Sequence, residues 1–279
     1  MDYANTEFPS QKMAFKKPAQ SLKRVLKPIK FYIKSRTVAK TFFNYFDVRS
    51  ELSESEKEAM YALRHKVYCE ELGFRFASHA NKESDIYDNH SRFCIVKHTK
   101  SKKLVGAVRL VESFKASEKL PIEDTCNTFY DDCHCLPHHF KREEIAEVSR
   151  LVVTPEYRKN TFKNRASAKH LANISSFGDL DAGEFTDKHE LRNFKYIAVA
   201  LYLGAMVLSQ RTKRKHLFII TTPKLAQSLA CFGIQLTRIG YAFEYQGYRA
   251  PYYIDVSKTE KRIHGGFKRL LRVIQTSML

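Results

Sequence analysis

The sequence predicts a mixed α/β layer fold around a central, largely antiparallel sheet. Three observations predict it. Two apolar runs, 92–98 and 104–112, flank a polar turn at 99–103, which is the pattern of an antiparallel hairpin. A third run, 145–154, is apolar enough at Leu151, Val152 and Val153 to be a central strand. Beyond it, helical and strand patterns alternate, as they do in layered α/β proteins.

The elements follow in order. Residues 1–20 hold Pro9 and Pro18 among scattered polar residues and are expected to lack order. In 21–46, Lys and Arg alternate with Leu, Val, Ile, Phe and Tyr. This predicts a basic amphipathic helix lying either on a membrane surface or on its own domain. A compact domain is expected to start near Phe46. Ser53 precedes a run, 54–72, with Met60, Leu63, Val67, Tyr68 and Leu72 at helical spacing. Ser53 is the expected N-cap, with Glu56 three residues on. Arg64 and Tyr68, four apart, share one face of that helix. After the hairpin comes an irregular connection over 113–142, then the central strand. Residues 155–190 read as a polar, basic connection with some helical content. Residues 193–210 form a long apolar helix, 215–222 a strand, 223–232 a helix, and 236–256 two strands around Gln246 and Gly247. The segment 267–274 repeats the basic amphipathic character. The chain thus divides into a basic, partly disordered extension (1–45), one domain (46–256) and a basic amphipathic tail (257–279).

With 279 residues and 43% apolar content, the chain can bury a sizeable core. The most apolar stretch, 196–208, falls short of the roughly 20 residues a membrane span requires, so a buried helix is expected. No secretory signal is seen, and six cysteines in a chain of this length do not form a disulfide framework. A reducing cytoplasm is the expected compartment. Cys126, Cys133, Cys135, His138 and His139 are spaced irregularly for zinc; a loop with reduced cysteines is the plainer reading, and no metal is assigned. The net charge is +18, with eleven Lys or Arg against three acids in 1–50 and six against one in 258–279. Such ends suit an acidic partner, whether protein, anionic membrane face or nucleic acid. No zinc-finger or RNA-recognition signature accompanies them, so nucleic acid is not the expected partner.

The chemistry lies in a spaced set of acids and arginines. Glu83, Asp85 and Asp88 place three carboxylates in six residues, which repel one another unless cations sit among them. Arg64, Arg109 and Arg150 are the cations expected to pair with them and shape a pocket. On the central strand, alternation puts Glu147 and Ser149 on one side and Arg150 on the other. A glutamate there is costly unless it is paired or used to handle an amine's proton. Arg158 follows the strand, where a strand-to-helix crossing can present N–H groups to a phosphate, although glycines are absent.

Together, Arg64-x-x-x-Tyr68, Glu83-x-Asp85-x-Tyr87-Asp88, Arg109-Leu110 and Glu147-x-Ser149-Arg150 resemble the signature of acyl-homoserine-lactone synthases, which share the GNAT-type acyltransferase fold. The stretch from Ile239-Gly240 through Glu244-Tyr-Gln-Gly247-Tyr-Arg249-Ala-Pro251 to Asp255 is similar to PEP-CTERM/exosortase system-associated acyltransferases, relatives of the N-acyl amino acid synthases. The resemblance covers roughly 50–256. It implies a GNAT-like three-layer fold and an N-acyltransferase that moves a fatty acyl group from acyl carrier protein, or coenzyme A, to the amine of an amino acid or similar metabolite. By similarity, Glu147, Asp85 and Asp88 bind and deprotonate the amine. Arg64, Tyr68, Glu83, Arg109, Ser149 and Arg150 bind substrate or organise the site. Leu151, Val152, Val153 and Arg158 lie in the acyl-phosphopantetheine region. No cofactor is implied beyond the acyl thioester itself, and the basic surface suits an acidic carrier protein, with peripheral contact to an anionic inner membrane as a further option. Two departures stand out. The lactone synthases carry a tryptophan after the first helix, where this chain has only Phe74 and Phe76, and Arg158 is followed by Lys-Asn-Thr-Phe rather than glycines. The first weakens the lactone-synthase alternative; the second favours a carrier protein over coenzyme A. A non-catalytic basic adaptor is the alternative of another class.

Overall fold

The structure, a computed structural model, describes residues 38–76, 78–115, 117–159, 188–263 and 265–278. The expectations for the first 37 residues and for most of the basic connection at 160–187 lie outside the described residues.

The described chain begins with helix α1 (Val38–Phe42) and strand β1 (Phe46–Arg49). Helix α2 (Glu54–His65) opens on the expected cap: Ser53 Oγ accepts from Glu56 N at 3.3 Å, and Glu56 Oε2 accepts from Ser53 N at 3.0 Å. The helix expected to run on to Leu72 instead widens into a π-helical segment, Lys66–Glu71, closed by Leu72 N donating to Val67 O. The short strands β2 (Ser78–His79) and β3 (Lys82–Glu83) form a separate ribbon that leads into a 3-10 turn, Ile86–His90. Then come β4 (Ser91–His98), β5 (Leu104–Glu112), α3 (Pro121–Thr125), β6 (Ile145–Val153) and α4 (Pro155–Lys159). The chain resumes with α5 (Lys188–Asn193), α6 (Ile197–Arg211), β7 (His216–Thr221) and α7 (Pro223–Ala230). It closes with β8 (Thr237–Arg238), β9 (Phe243–Glu244), β10 (Tyr248–Asp255), α8 (Val256–Arg262) and α9 (Gly266–Ser277).

Eight strands make one sheet, ordered β1-β4-β5-β6-β7-β10-β8 with β9 paired to β10. All neighbours are antiparallel except β6 and β7. One face is covered by α6, whose side chains are buried almost all round, and by α9. The helix lies close on the sheet because glycine lets it. A Cβ on Gly204 would stand 2.3 Å from Cys94 Sγ, and one on Gly106 would stand 3.0 Å from Leu201 Cδ1. The other face is covered by α2 and the π-helical segment that continues it, where Met60, Leu63 and Val67 pack on Phe93, Ile95, Ala107 and Val152. The result is a three-layer fold with a central mixed, largely antiparallel sheet flanked by helices.

Two details differ from the sequence reading. Three strands form over 236–256 rather than two, because the chain leaves the sheet at Gly240 to bridge Phe129; a Cβ there would lie 2.5 Å from Thr128 O. The core also extends beyond 46–256. Phe267, Leu270, Leu271 and Ile274 of α9 are buried in the same cluster as Val38, Ala39 and Phe42 of α1. The amphipathic face at the C-terminal end therefore packs on the fold itself. Among the described residues no helix is long and apolar enough to cross a membrane.

Candidate active site

The site forms where the sheet opens. Strand β6 pairs with β7 only at Ile145↔His216, Ala146↔Leu217 and Glu147↔Phe218. Past Glu147 the two strands part, while β7 continues alongside β10. The opening is a cleft of about 60 Å3 lined by Glu147, Val148, Ser149 and Arg150 on one side and by Ile220, Tyr245, Gln246 and Arg249 on the other. Tyr68, Phe74, Phe76, Pro121 and Thr125 close it further.

A bulge shapes the β6 wall. Ala107 pairs with Val152 and Arg109 with Ser149, so three steps on β6 oppose two on β5. The extra residue is Arg150, at φ +52°. A left-handed arginine costs about 1 kcal/mol, and here it turns the side chain. Strict alternation would send Arg150 away from Ser149; the bulge instead brings both to one cluster. That expectation is corrected by the local backbone.

In the cluster every arginine meets two carboxylates. Arg64 donates through Nε to Glu83 Oε2 at 2.5 Å and through its two terminal nitrogens to Asp88 at 2.8 and 3.1 Å. Arg109 reaches Asp85 at 2.5 Å and Asp88 at 3.0 Å, and its Nε donates to Ser149 Oγ at 3.0 Å. Arg150 donates to Glu83 at 3.0 Å and to Asp85 at 2.9 Å, with its guanidinium 4.0 Å above the Phe76 ring. Three cations and three anions close a ring of ion pairs. Burial opposes ionisation of Asp88, but Arg64 and Arg109 hold its carboxyl below the usual range. Asp88 also accepts from Asp85 N, while Asp85 accepts from Tyr87 N, so the two acids cap the 3-10 turn that carries them.

Glu147 stands outside that ring. It is buried, and its one hydrogen bond among the described residues comes from Ile122 N to Oε2 at 2.6 Å. Burial pushes its carboxyl up to about 8, against the pull of the Ile122 N–H and of Arg109 and Arg150. A carboxyl of that kind titrates near the pH at which an amine must be deprotonated.

The remaining expected residues are placed as follows. Tyr68, on the π-helical segment, donates to Leu151 O at 2.9 Å across the bulge. Val152 and Val153 still pair with β5 just past the divergence. Arg158, on α4, is held by Glu71. The structure therefore brings together Arg64, Glu83, Asp85, Asp88, Arg109, Ser149 and Arg150, sets Glu147 beside them in the cleft, and leaves Arg158 in a separate pair. Sequence reasoning did not single out Ile122, and it quoted Tyr245, Gln246 and Arg249 only within a resembling segment, with no place at the cleft. The Gln246-Gly247 turn signal was visible, but not the wall it would form. Cys126, Cys133 and Cys135 lie in an apolar cluster with Phe140 and Tyr253, and among the described residues no group of three or more His, Cys, Asp or Glu is placed to hold a metal ion.

Comparison with known proteins follows this geometry. Residues 63–167 match the family model described as the acetyltransferase (GNAT) domain, a span that holds the whole ion-pair ring and Glu147. A search of curated protein sequences found no match. Among solved structures, a CoA-dependent acyl-homoserine lactone synthase, BjaI, with SAM and isopentyl-CoA aligns at TM-score 0.53 and 14% identity, over 83% of this chain and 88% of that one. The AHL synthase LasI aligns at TM-score 0.50 and 15% identity, over 79% and 94%. TofI, in a ternary complex with an inhibitor and MTA, aligns at TM-score 0.50 and 14% identity, over 83% and 98%. At these identities the likeness is one of fold. The matched acetyltransferase (GNAT) domain, carried on a fold shared with these synthases, supports an acyltransferase.

Proposed function

We propose that the protein is an N-acyltransferase that moves a fatty acyl group from the phosphopantetheine thioester of an acyl carrier protein to the amine of an amino acid or similar metabolite. One observation carries this reading: Glu147 is a buried, solitary carboxyl with its proton affinity raised to about 8, set in the cleft where β6 and β7 part. Every other acid of the cluster is already neutralised by arginine. The roles divide accordingly. Asp85 and Asp88, assigned with Glu147 to proton handling by resemblance, shape the pocket with Glu83, Arg64, Arg109 and Arg150. Glu147 alone is free to act as base.

The neutral amine attacks the thioester carbonyl carbon. A C–N bond forms, the C–S bond breaks, and the proton taken from nitrogen by Glu147 is returned to the departing sulfur. Removing such a base lowers rates about 10²–10⁴-fold. Backbone groups near Leu151, Val152 and Val153, on the unpaired edge of β6, face the arriving thioester and stabilise its oxyanion. The net charge of +18 favours an acidic carrier protein by long-range attraction. Arg158 is engaged by Glu71, which leaves it less suited to the phosphates of free coenzyme A. An exosortase-associated setting rests on the 239–255 sequence segment alone.

The test is incubation of the purified protein with acyl-carrier thioesters and a pooled amine panel, followed by mass spectrometry. A linear N-acyl product supports the reading. A lactone product would instead make the chain a lactone synthase, and no N-acyl product at all would refute it.

A further inference from the structure

The β9–β10 hairpin brings one cation to the cleft that no carboxylate neutralises among the described residues. Arg249, half-buried on β10, lines the same cleft as Glu147. Its Nε donates to Gln246 O at 3.2 Å, and its guanidinium lies 5.8 Å from the centre of the Phe74 ring. Arg64, Arg109 and Arg150 each hold two carboxylates, whereas Arg249 holds none. Glu244, the nearest acid in sequence, accepts from Gly247 N at 3.1 Å and so belongs to the turn. That turn is tightly specified: Gln246 and Gly247 take φ of +50° and +92°, and Tyr245 N donates to Gly247 O. The charge of Arg249 also acts inward. Burial pushes the Tyr68 and Tyr202 phenols up, and Arg249 is among the cations pulling them back. A guanidinium fixed by an aromatic ring and a backbone carbonyl, with its terminal nitrogens uncommitted, is a receptor for a planar anion.

We propose that Arg249 anchors the carboxylate of the acceptor, so that the substrate is an amine bearing a carboxylate, bound between Arg249 on one wall and Glu147 on the other. This rests on the amine-acylating reading above. It assigns Arg249 to ground-state binding of the acceptor and gives it no part in proton transfer.

The test is steady-state acylation of an amino acid and of its primary amide by the wild type, Arg249→Gln and Arg249→Lys. A charge-assisted pair is worth roughly 10–100-fold in binding. The wild type is therefore expected to prefer the acid over the amide by about that factor. Arg249→Gln should raise KM for the acid by a similar factor, leave kcat within a few-fold, and leave KM for the amide unchanged; Arg249→Lys should fall between. A KM for the acid that does not move, or equal losses for acid and amide, would overturn the assignment while leaving the acyltransferase reading intact. A wild type that acylates neither compound would instead overturn the parent reading, and this one with it. Thermal melting of each variant separates lost binding from lost folding.

Discussion

Replacing Glu147 by Gln should make the protein more stable and nearly inactive. The carboxyl is buried and holds its proton up to about pH 8, against 4.5 for an ordinary glutamate. Native protein therefore keeps a proton that the unfolded chain has lost once the pH exceeds 4.5. A group whose native value is raised contributes most at low pH, and stability falls as the pH rises toward about 8. At ~1.36 kcal/mol per pH unit, ionisation of the unfolded carboxyl favours unfolding by about 3 kcal/mol at neutral pH. Glutamine does not titrate, and its carbonyl oxygen still accepts from Ile122 N. Urea unfolding of wild type and Glu147→Gln at intervals from pH 4.5 to 8.5 measures the difference directly. The variant's advantage should be small at the acid end, grow with pH, and level off above about 8. A difference that does not change with pH, or a variant less stable throughout, would refute the claim that burial sets the proton affinity of Glu147.

Outcomes for three further variants follow from the geometry. Arg64→Met leaves Glu83 and Asp88 buried without one partner and should cost about 3–5 kcal/mol in denaturant unfolding. The Asp88 carboxyl is depressed in the native state, so its contribution is present above the ordinary value of 3.8 and lost as the pH falls through its lower native one; acid unfolding of Arg64→Met should therefore set in at higher pH than in the wild type. Gly204→Ala drives a methyl into Cys94 Sγ and should cost about 1–3 kcal/mol, with partial rescue by adding Cys94→Ala. Phe267→Ala opens the core at α9 and should cost about 3–5 kcal/mol in purified protein without lipid, which a merely membrane-facing residue would not do.

Much of this was legible in the sequence because it is written locally. Ser53 and Glu56 sit at the spacing a helix start demands, and the polar turn at 99–103 joins two strands whose pairing follows from adjacency. The acids at 83, 85 and 88 require cations by simple repulsion, and Arg64, Arg109 and Arg150 supply them. What sequence reading did not reach depends on contacts far apart in the chain or on single backbone angles. Arg150 joins the ring only because the β6 bulge takes a left-handed φ there. Glu147 differs from the other acids because the fold buries it without an arginine pair, and the N–H that partly offsets that burial comes from Ile122, 25 residues away. The wall bearing Arg249 exists because the Gln246-Gly247 turn folds a hairpin back over the cleft. The basic, amphipathic segment at 267–274 shows one apolar stripe whether it meets a membrane or its own core; only packing against α1 and α6 decides between them.

The most direct test is the rate of amide formation from an acyl-carrier thioester as a function of pH, in wild type and Glu147→Gln. In the wild type, kcat/KM should rise with pH through about 8, as Glu147 becomes the ionised base. In the variant it should lie about 10²–10⁴-fold lower and lose the inflection near 8, keeping only the rise that the amine's own deprotonation gives. A Glu147→Gln protein that forms the amide at the wild-type rate across this range would contradict the assignment of Glu147 as the base.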